Sequence, residues 1–118
     1  MDIDELRGYC LAKHFTSEGF PFDNDTLVFK VAEKMFGLVS LDSNPLSINL
    51  KCDPERAIEL REQHEAITPG FHMNKQHWNT VMLDGSLPRS LVLELIDHSY
   101  DLVYRSLPKK TRDLLEGQ

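Results

Sequence analysis

The sequence has little of what staples or anchors a chain. It holds two cysteines in 118 residues, Cys10 and Cys52, and a pair so far apart gives neither a disulfide framework nor a paired zinc knuckle. No apolar run approaches the roughly 18 residues needed to span a bilayer. The opening Met1-Asp2-Ile3-Asp4-Glu5 is acidic and lacks the basic-then-apolar layout of a signal peptide. A cytoplasmic protein with reduced thiols is the expectation. Patterns of the GxGxxG, P-loop, GxSxG, HExxH and EF-hand kinds are absent, so no familiar nucleotide, hydrolase, zinc-protease or calcium chemistry is signposted. Basic residues are also in deficit: 13 Lys+Arg stand against 19 Asp+Glu, a formal net charge of −6. On average such a chain is repelled by phosphate backbones and by anionic membranes.

The charge is unevenly spread. Six acids (Asp2, Asp4, Glu5, Glu18, Asp23, Asp25) face two bases (Arg7, Lys13) up to Asp25, whereas no acid occurs between Glu65 and Asp84. His72, Lys75, His77 and Trp78 fall in that acid-free stretch, and Lys109, Lys110 and Arg112 form a second basic cluster. Local patches decide anion binding more than net charge does, so nucleic acid is disfavoured by the total and still open by the distribution.

What is present is hydrophobic patterning for a single α+β domain over 1–118. Asp2 to Glu5 reads as a capping box, and Ile3, Leu6 and Cys10 share a face of a first helix to about Lys13. Gly19 to Asp25 reads as a loop whose Phe20 and Phe22 are expected to pin it to the core. Thr26–Val31, Met35–Leu41 and Leu46–Lys51 follow as strands, the first and last cleanly alternating. Ala32-Glu33-Lys34 is short enough for a hairpin although it lacks Asn-Gly or Asp-Gly. Asp53-Pro54 starts a helix to about His64, with Asp as cap and Pro at the first helical position. Thr68-Pro69-Gly70 breaks the chain, and a fourth strand runs from Trp78 to Leu83. Pro88 opens a long helix to about Ser106 with Leu91, Leu95, Ser99 and Leu102 on its stripe, and Lys109–Leu115 is a further short helix. The order α-β-β-β-α-β-α with hairpin-length links implies a two-layer sandwich, an antiparallel sheet with helices on one face.

Chemistry-bearing residues concentrate in 71–80. Lys75, His72 and His77 suit a phosphate or carboxylate, Asn74 a base or sugar, and Trp78 a stacking face. Trp78 could equally anchor its strand in the core, and Asn74 could cap a turn. Lys51, at a strand end beside a helix N-terminus, adds a candidate anion contact, and Lys30 and Lys34 in the hairpin a secondary one. His72 and His77, five apart, do not share one side of a regular element, so no metal site and no cofactor is expected. Cys52 reads as a structural thiol and Cys10 as core. With no nucleophile–base constellation, catalysis by His72 or His77 ranks behind binding.

In order along the chain stand Leu50-Lys51-Cys52-Asp53-Pro54-Glu55, Leu60-Arg61-Glu62-Gln63-His64, Pro69-Gly70-Phe71-His72-Met73-Asn74-Lys75-Gln76-His77-Trp78-Asn79-Thr80-Val81 and Leu83-Asp84-Gly85-Ser86-Leu87-Pro88. With Ser99-Tyr100 and Leu107-Pro108, these segments resemble the MmcQ/YjbR-like family of small bacterial proteins. The Asn-Lys-x-His-Trp stretch followed by Asp-Gly-x-x-Pro is the most distinctive part. The resemblance implies a CyaY-like α+β sandwich. Members are described as double-wing DNA-binding proteins, a description resting on architecture, which does not establish function. It brings no settled activity, cofactor or catalytic residue. The expected function is a non-enzymatic DNA-binding module, the alternative a protein-partner or small-anion binding module using the His72–Trp78 segment.

Overall fold

The computed structural model of the protein describes residues 1–70 and 73–117. Ten elements follow one another: α1 (Ile3–Leu11), β1 (Thr16–Gly19), β2 (Thr26–Val31), β3 (Lys34–Ser40), β4 (Ser47–Lys51), α2 (Pro54–Gln63), β5 (Ile67–Pro69), β6 (Trp78–Met82), α3 (Arg89–Ser106) and α4 (Lys109–Glu116). The six strands form one sheet in the order β1-β2-β3-β4-β6-β5, and every neighbouring pair is antiparallel. The expected two-layer α+β architecture is borne out. Its element order gains β1 and β5, four and three residues long, at the two edges of the sheet. Both are too short to show a period-two pattern, and Pro69 reads as a breaker although an edge strand tolerates it.

Alternation along each strand divides the sheet into two faces. Leu27, Phe29 and Val31 of β2, Ile48 and Leu50 of β4 and Val81 of β6 join the buried cluster that also holds Leu6 and Cys10 of α1, Ala57 and Leu60 of α2 and Val92, Leu95, Ile96 and Val103 of α3. The buried stripe of α3 is Val92, Leu95, Ile96, Ser99 and Val103. Leu91 and Leu102, expected on it, are only partly buried, because a 3.6-residue repeat through Leu95 and Ser99 places Val92 and Val103 on that line instead. Both cysteines are buried free thiols, and burial pushes the Cys10 thiol up to about 12.

The local chemistry explains how the elements begin and end. Asp2 caps α1 by accepting the Glu5 N–H at 2.8 Å. Glu5 does not reciprocate as a capping box would, since its carboxylate accepts from Arg89 Nε at 2.8 Å. The β2–β3 hairpin pairs Val31 with Lys34, leaving a two-residue turn in which Ala32 and Glu33 both take positive φ, 45° and 76°. That is the turn geometry Asn-Gly favours, reached here without glycine. In β3, a register shift leaves Phe36 as an extra residue opposite β2, a bulge that aims both Phe36 and Gly37 at the helices. A Cβ on Gly37 would meet Ile48 Cδ1 at 3.4 Å and Phe29 Cδ2 at 3.5 Å.

Besides its apolar packing, one hydroxyl hydrogen-bonds the long helix to the sheet. Ser99, with 0% of its surface exposed, donates to the Phe36 carbonyl at 2.6 Å and accepts from the Lys51 N–H at 2.9 Å. Replacing Ser99 by Ala leaves both backbone groups without that partner in a buried setting. Ser99→Ala is expected to lower unfolding free energy by about 2–3 kcal/mol, read by denaturant titration. A loss below about 0.5 kcal/mol, the scatter of neutral surface changes, would contradict this role.

Candidate functional site

The face of the sheet away from the helices carries three rows of side chains. The row where β2 starts and β3 ends holds Thr26, Ser40, Ser47 and Met82, the middle row Val28, Leu38, Asn49, Thr80 and Thr68, and the opposite row Lys30, Met35, Lys51 and Trp78. A groove of about 660 Å³ lies on this face, and Thr26, Met35, Leu38, Ser40, Ser47, Asn49 and Thr80 line it. Phe22 from the β1–β2 loop, Asp42 and Ser43 from the β3–β4 turn and Met73 from the β5–β6 loop rise around it. Thr80 Oγ1 donates to Asn49 Oδ1 at 2.5 Å across the floor.

The two phenylalanines expected to pin the β1–β2 loop to the core do not do so. Phe20 is 48% and Phe22 62% exposed. The loop is fixed instead by Asp23, whose carboxylate accepts from the Asp25 N–H at 2.9 Å and the Thr26 N–H at 2.7 Å. These donors hold the Asp23 carboxyl below the usual carboxylate range, so it carries its charge at neutral pH.

Of the residues singled out from the sequence, Lys51 and Trp78 are brought together as direct cross-strand partners on β4 and β6. Trp78 is half-buried on the helix-free face and is no part of the helix-side core. Lys30 shares that face, paired to Met35, and Lys34 stands exposed beside the hairpin turn. Among the described residues, Lys30, Lys34 and Lys51 form no ion pair. Asn74 caps a turn: its Oδ1 accepts the Gln76 N–H at 3.0 Å, and its carbonyl accepts those of His77 and Trp78. The Lys75 ammonium reaches the Gly70 carbonyl at 3.4 Å, and the carbonyl of half-buried His77 accepts the Cys52 N–H at 2.8 Å. His72 lies outside the described residues. Nor does the start of α2 offer an open anion site next to Lys51, since the Asp53 carboxylate takes the Arg56 N–H.

Two groups that sequence reasoning passed over position Trp78. Arg61 of α2 donates from Nε to Asn79 Oδ1 at 2.6 Å and from Nη2 to the Lys75 carbonyl. Asn79, 2% exposed, in turn donates to the Ala57 carbonyl at 3.4 Å. The available signal was parity: Asn79 is a polar residue on the core side of a strand, in step with Val81. Gly70 is the second. Its N–H donates to the Trp78 carbonyl at 2.8 Å, and an added Cβ would lie 2.8 Å from the Trp78 Cβ, so no larger residue fits without moving the strand.

A further titratable group lies on the helix side. His98 Nε2 accepts the Asp53 N–H at 3.1 Å, which requires a neutral ring with its proton on Nδ1. Burial, then the positive charge of Arg56, lower its pKa from 6.5, against smaller opposing effects of Asp53, Asp101 and Glu94. The unfolded chain therefore binds this proton first as pH falls. Stability from the His98 contact is full above 6.5 and declines as pH drops through the lowered folded value. The stability difference between wild type and His98→Gln is expected to shrink between about pH 7 and pH 5. A pH-independent difference in paired denaturation curves would contradict it.

No group of three His, Cys, Asp or Glu among the described residues could hold a metal ion, and no described helix is long and apolar enough to cross a membrane. Comparison with known proteins gives a consistent picture. The YjbR family model matches residues 11–102. The uncharacterized protein YjbR of Escherichia coli is 41% identical over 115 residues, covering 98% of each chain. The uncharacterized YbdF of the same species is 36% identical over 91 residues, 77% of this chain and 75% of its own. Among solved structures, a Deinococcus radiodurans protein superposes with a TM-score of 0.93 at 44% identity, over 97% of this chain and 87% of its own. A Pseudomonas syringae protein does so with a TM-score of 0.75 at 29% identity, over 87% and 99%.

Proposed function

From the premise that the chain belongs to the YjbR family, we propose that it is a non-enzymatic binding module that takes its ligand on the helix-free face of the sheet. One observation carries this reading. The 660 Å³ groove on that face combines hydroxyl and amide groups with Phe22, Met35, Leu38 and Met73, the mixture of apolar walls and few polar groups typical of ligand sites. Methionine and an exposed aromatic supply adaptable contact area. Among the described residues lining the groove there is no cysteine, histidine or lysine, and those residues supply neither a strong nucleophile nor a general base poised near neutral pH.

The test is a screen of mixed fragments and oligopeptides by amide proton–nitrogen correlation spectra. Hits are expected to move the amides of Ser40, Ser47, Asn49 and Thr80. Hits that move only amides of α1 and α3 would overturn the assignment of the face.

The cross-strand pair Lys51–Trp78, with Lys30 on the same face, favours a second reading in which the ligand is DNA. A base would stack on Trp78 with phosphates at Lys51 and Lys30. Trp78 is the only tryptophan, so its emission reports on this position alone. Under this reading single- or double-stranded DNA quenches it at low salt, and Lys51→Ala lowers the salt slope of binding by about one. Unchanged emission together with unchanged anisotropy of labelled DNA would remove the reading.

A further inference from the structure

The helix-free face is electrically polar along the strand direction. Asp23 precedes β2 and Asp42 follows β3, so both lie at the end where Thr26 pairs with Ser40, and both line the cavity. Asp23 is held charged by two backbone N–H groups, and Asp42 is exposed with no ion-pair partner among the described residues. At the other end, Lys30 lies opposite Met35 and Lys51 opposite Trp78. Glu33 in the hairpin turn and Lys34 at the start of β3 carry opposite charges there. From the Ser47 row to the Lys51 row is four residues of strand, about 13 Å.

A ligand matching these features has an ammonium and a carboxylate at least about 13 Å apart, because the aspartates lie beyond the Ser47 row, with an apolar body for Leu38, Met35, Met73 and Phe22 and polar groups for the serine and threonine hydroxyls. An extended chain of four residues spans about 13–14 Å between its ends. We infer that this face binds a short peptide of at least about four residues, its body in the groove, its amino terminus at Asp23 and Asp42 and its carboxylate just beyond the groove at Lys30 and Lys51. This rests on the helix-free face being the binding surface. Nucleic acid fits the polarity poorly, because a polyanion lying along the groove meets the two aspartates. A dipeptide is too short to reach both ends at once.

The probe is a pool of tetrapeptides with Leu or Met at the two central positions, titrated in four forms: free, N-acetylated, C-amidated, and capped at both ends. Free peptides are expected to bind, and each cap to weaken binding about two- to fivefold, as loss of an exposed charge pair does. Asp42→Asn should weaken the free peptide by a similar factor and leave the N-acetylated form unaffected. Lys51→Gln should behave likewise towards the C-amidated form. Both positions are solvent-facing, and denaturation midpoints check that both variants are folded. Caps without effect would overturn the recognition of termini while leaving the face as a binding surface. Peptides that fail where other fragments or single-stranded DNA shift the amides of Ser47, Asn49 and Thr80 would overturn the peptide class alone. If nothing in either screen moves those amides, the inference and the reading beneath it both fall.

Discussion

The hydroxyl of Ser99 ties the long helix to the apolar side of the sheet. Beyond the Gly37–Leu50 pair the β3–β4 ladder stops, and Ser99 supplies what the next pair would have exchanged, bonding the Phe36 carbonyl and the Lys51 N–H. A larger side chain at this place would push α3 away from the strands, and an apolar one would leave two backbone groups unsatisfied. With α3 seated on β2, β3 and β4, α1 and α2 complete the layer on the same side, and the opposite face is left to loops. The bulge at Phe36 serves the same packing, because it turns Phe36 towards the helices, where its ring meets Tyr100 edge-on with centroids 5.4 Å apart.

The helix-free face is consequently built from what the strands do not send to the core. Val28 and Leu38 are 1% and 8% exposed there although no helix covers them, which shows that the surrounding strands and loops close over part of this surface. Phe20 and Phe22 remain exposed on the loop beside it. Apolar side chains left in water contribute nothing to the hydrophobic stabilisation of the fold, and an aromatic pair on a loop that is tied down by Asp23 has no structural task in the core. Phe22 stands at the mouth of the cavity, where contact area for a ligand is useful.

Most of this architecture was legible in the sequence because its signals are local. Thr26–Val31 alternates without interruption and forms β2 over those same residues, and Asp53-Pro54 announces the start of α2, which the structure begins at Pro54. The edge strands were illegible because three or four residues carry no period. Phe20 and Phe22 misled because hydrophobicity predicts burial only on average. The stripe of α3 slipped by one position at each end, since Leu91 and Val92 are equally apolar and only packing decides between them. For the site, the sequence brought Lys51 and Trp78 forward as separate candidates, and strand register made them neighbours. The groove itself is spread over four strands and three loops, and no local pattern marks residues that distant in sequence as sharing a surface.

Family membership narrows the fold far more than the function. At 44% identity and a TM-score of 0.93, the backbone is shared, and a shared backbone is compatible with many ligands. What discriminates among them is the sign and spacing of charge on the exposed face. A net charge of −6 opposes a polyanion everywhere except where local cations outweigh it. Here Lys30 and Lys51, without ion pairs among the described residues, stand at one end of the face, and the two aspartates that line the cavity stand at the other. Within a Debye length of roughly 8 Å at physiological salt, each end acts on its own. Under the proposed reading, an anion short enough to stay at Lys51 meets only positive charge, and one extended along the strands meets the two aspartates as well. The arrangement therefore favours a ligand that changes sign along its length, or one short enough to stay at the lysine end.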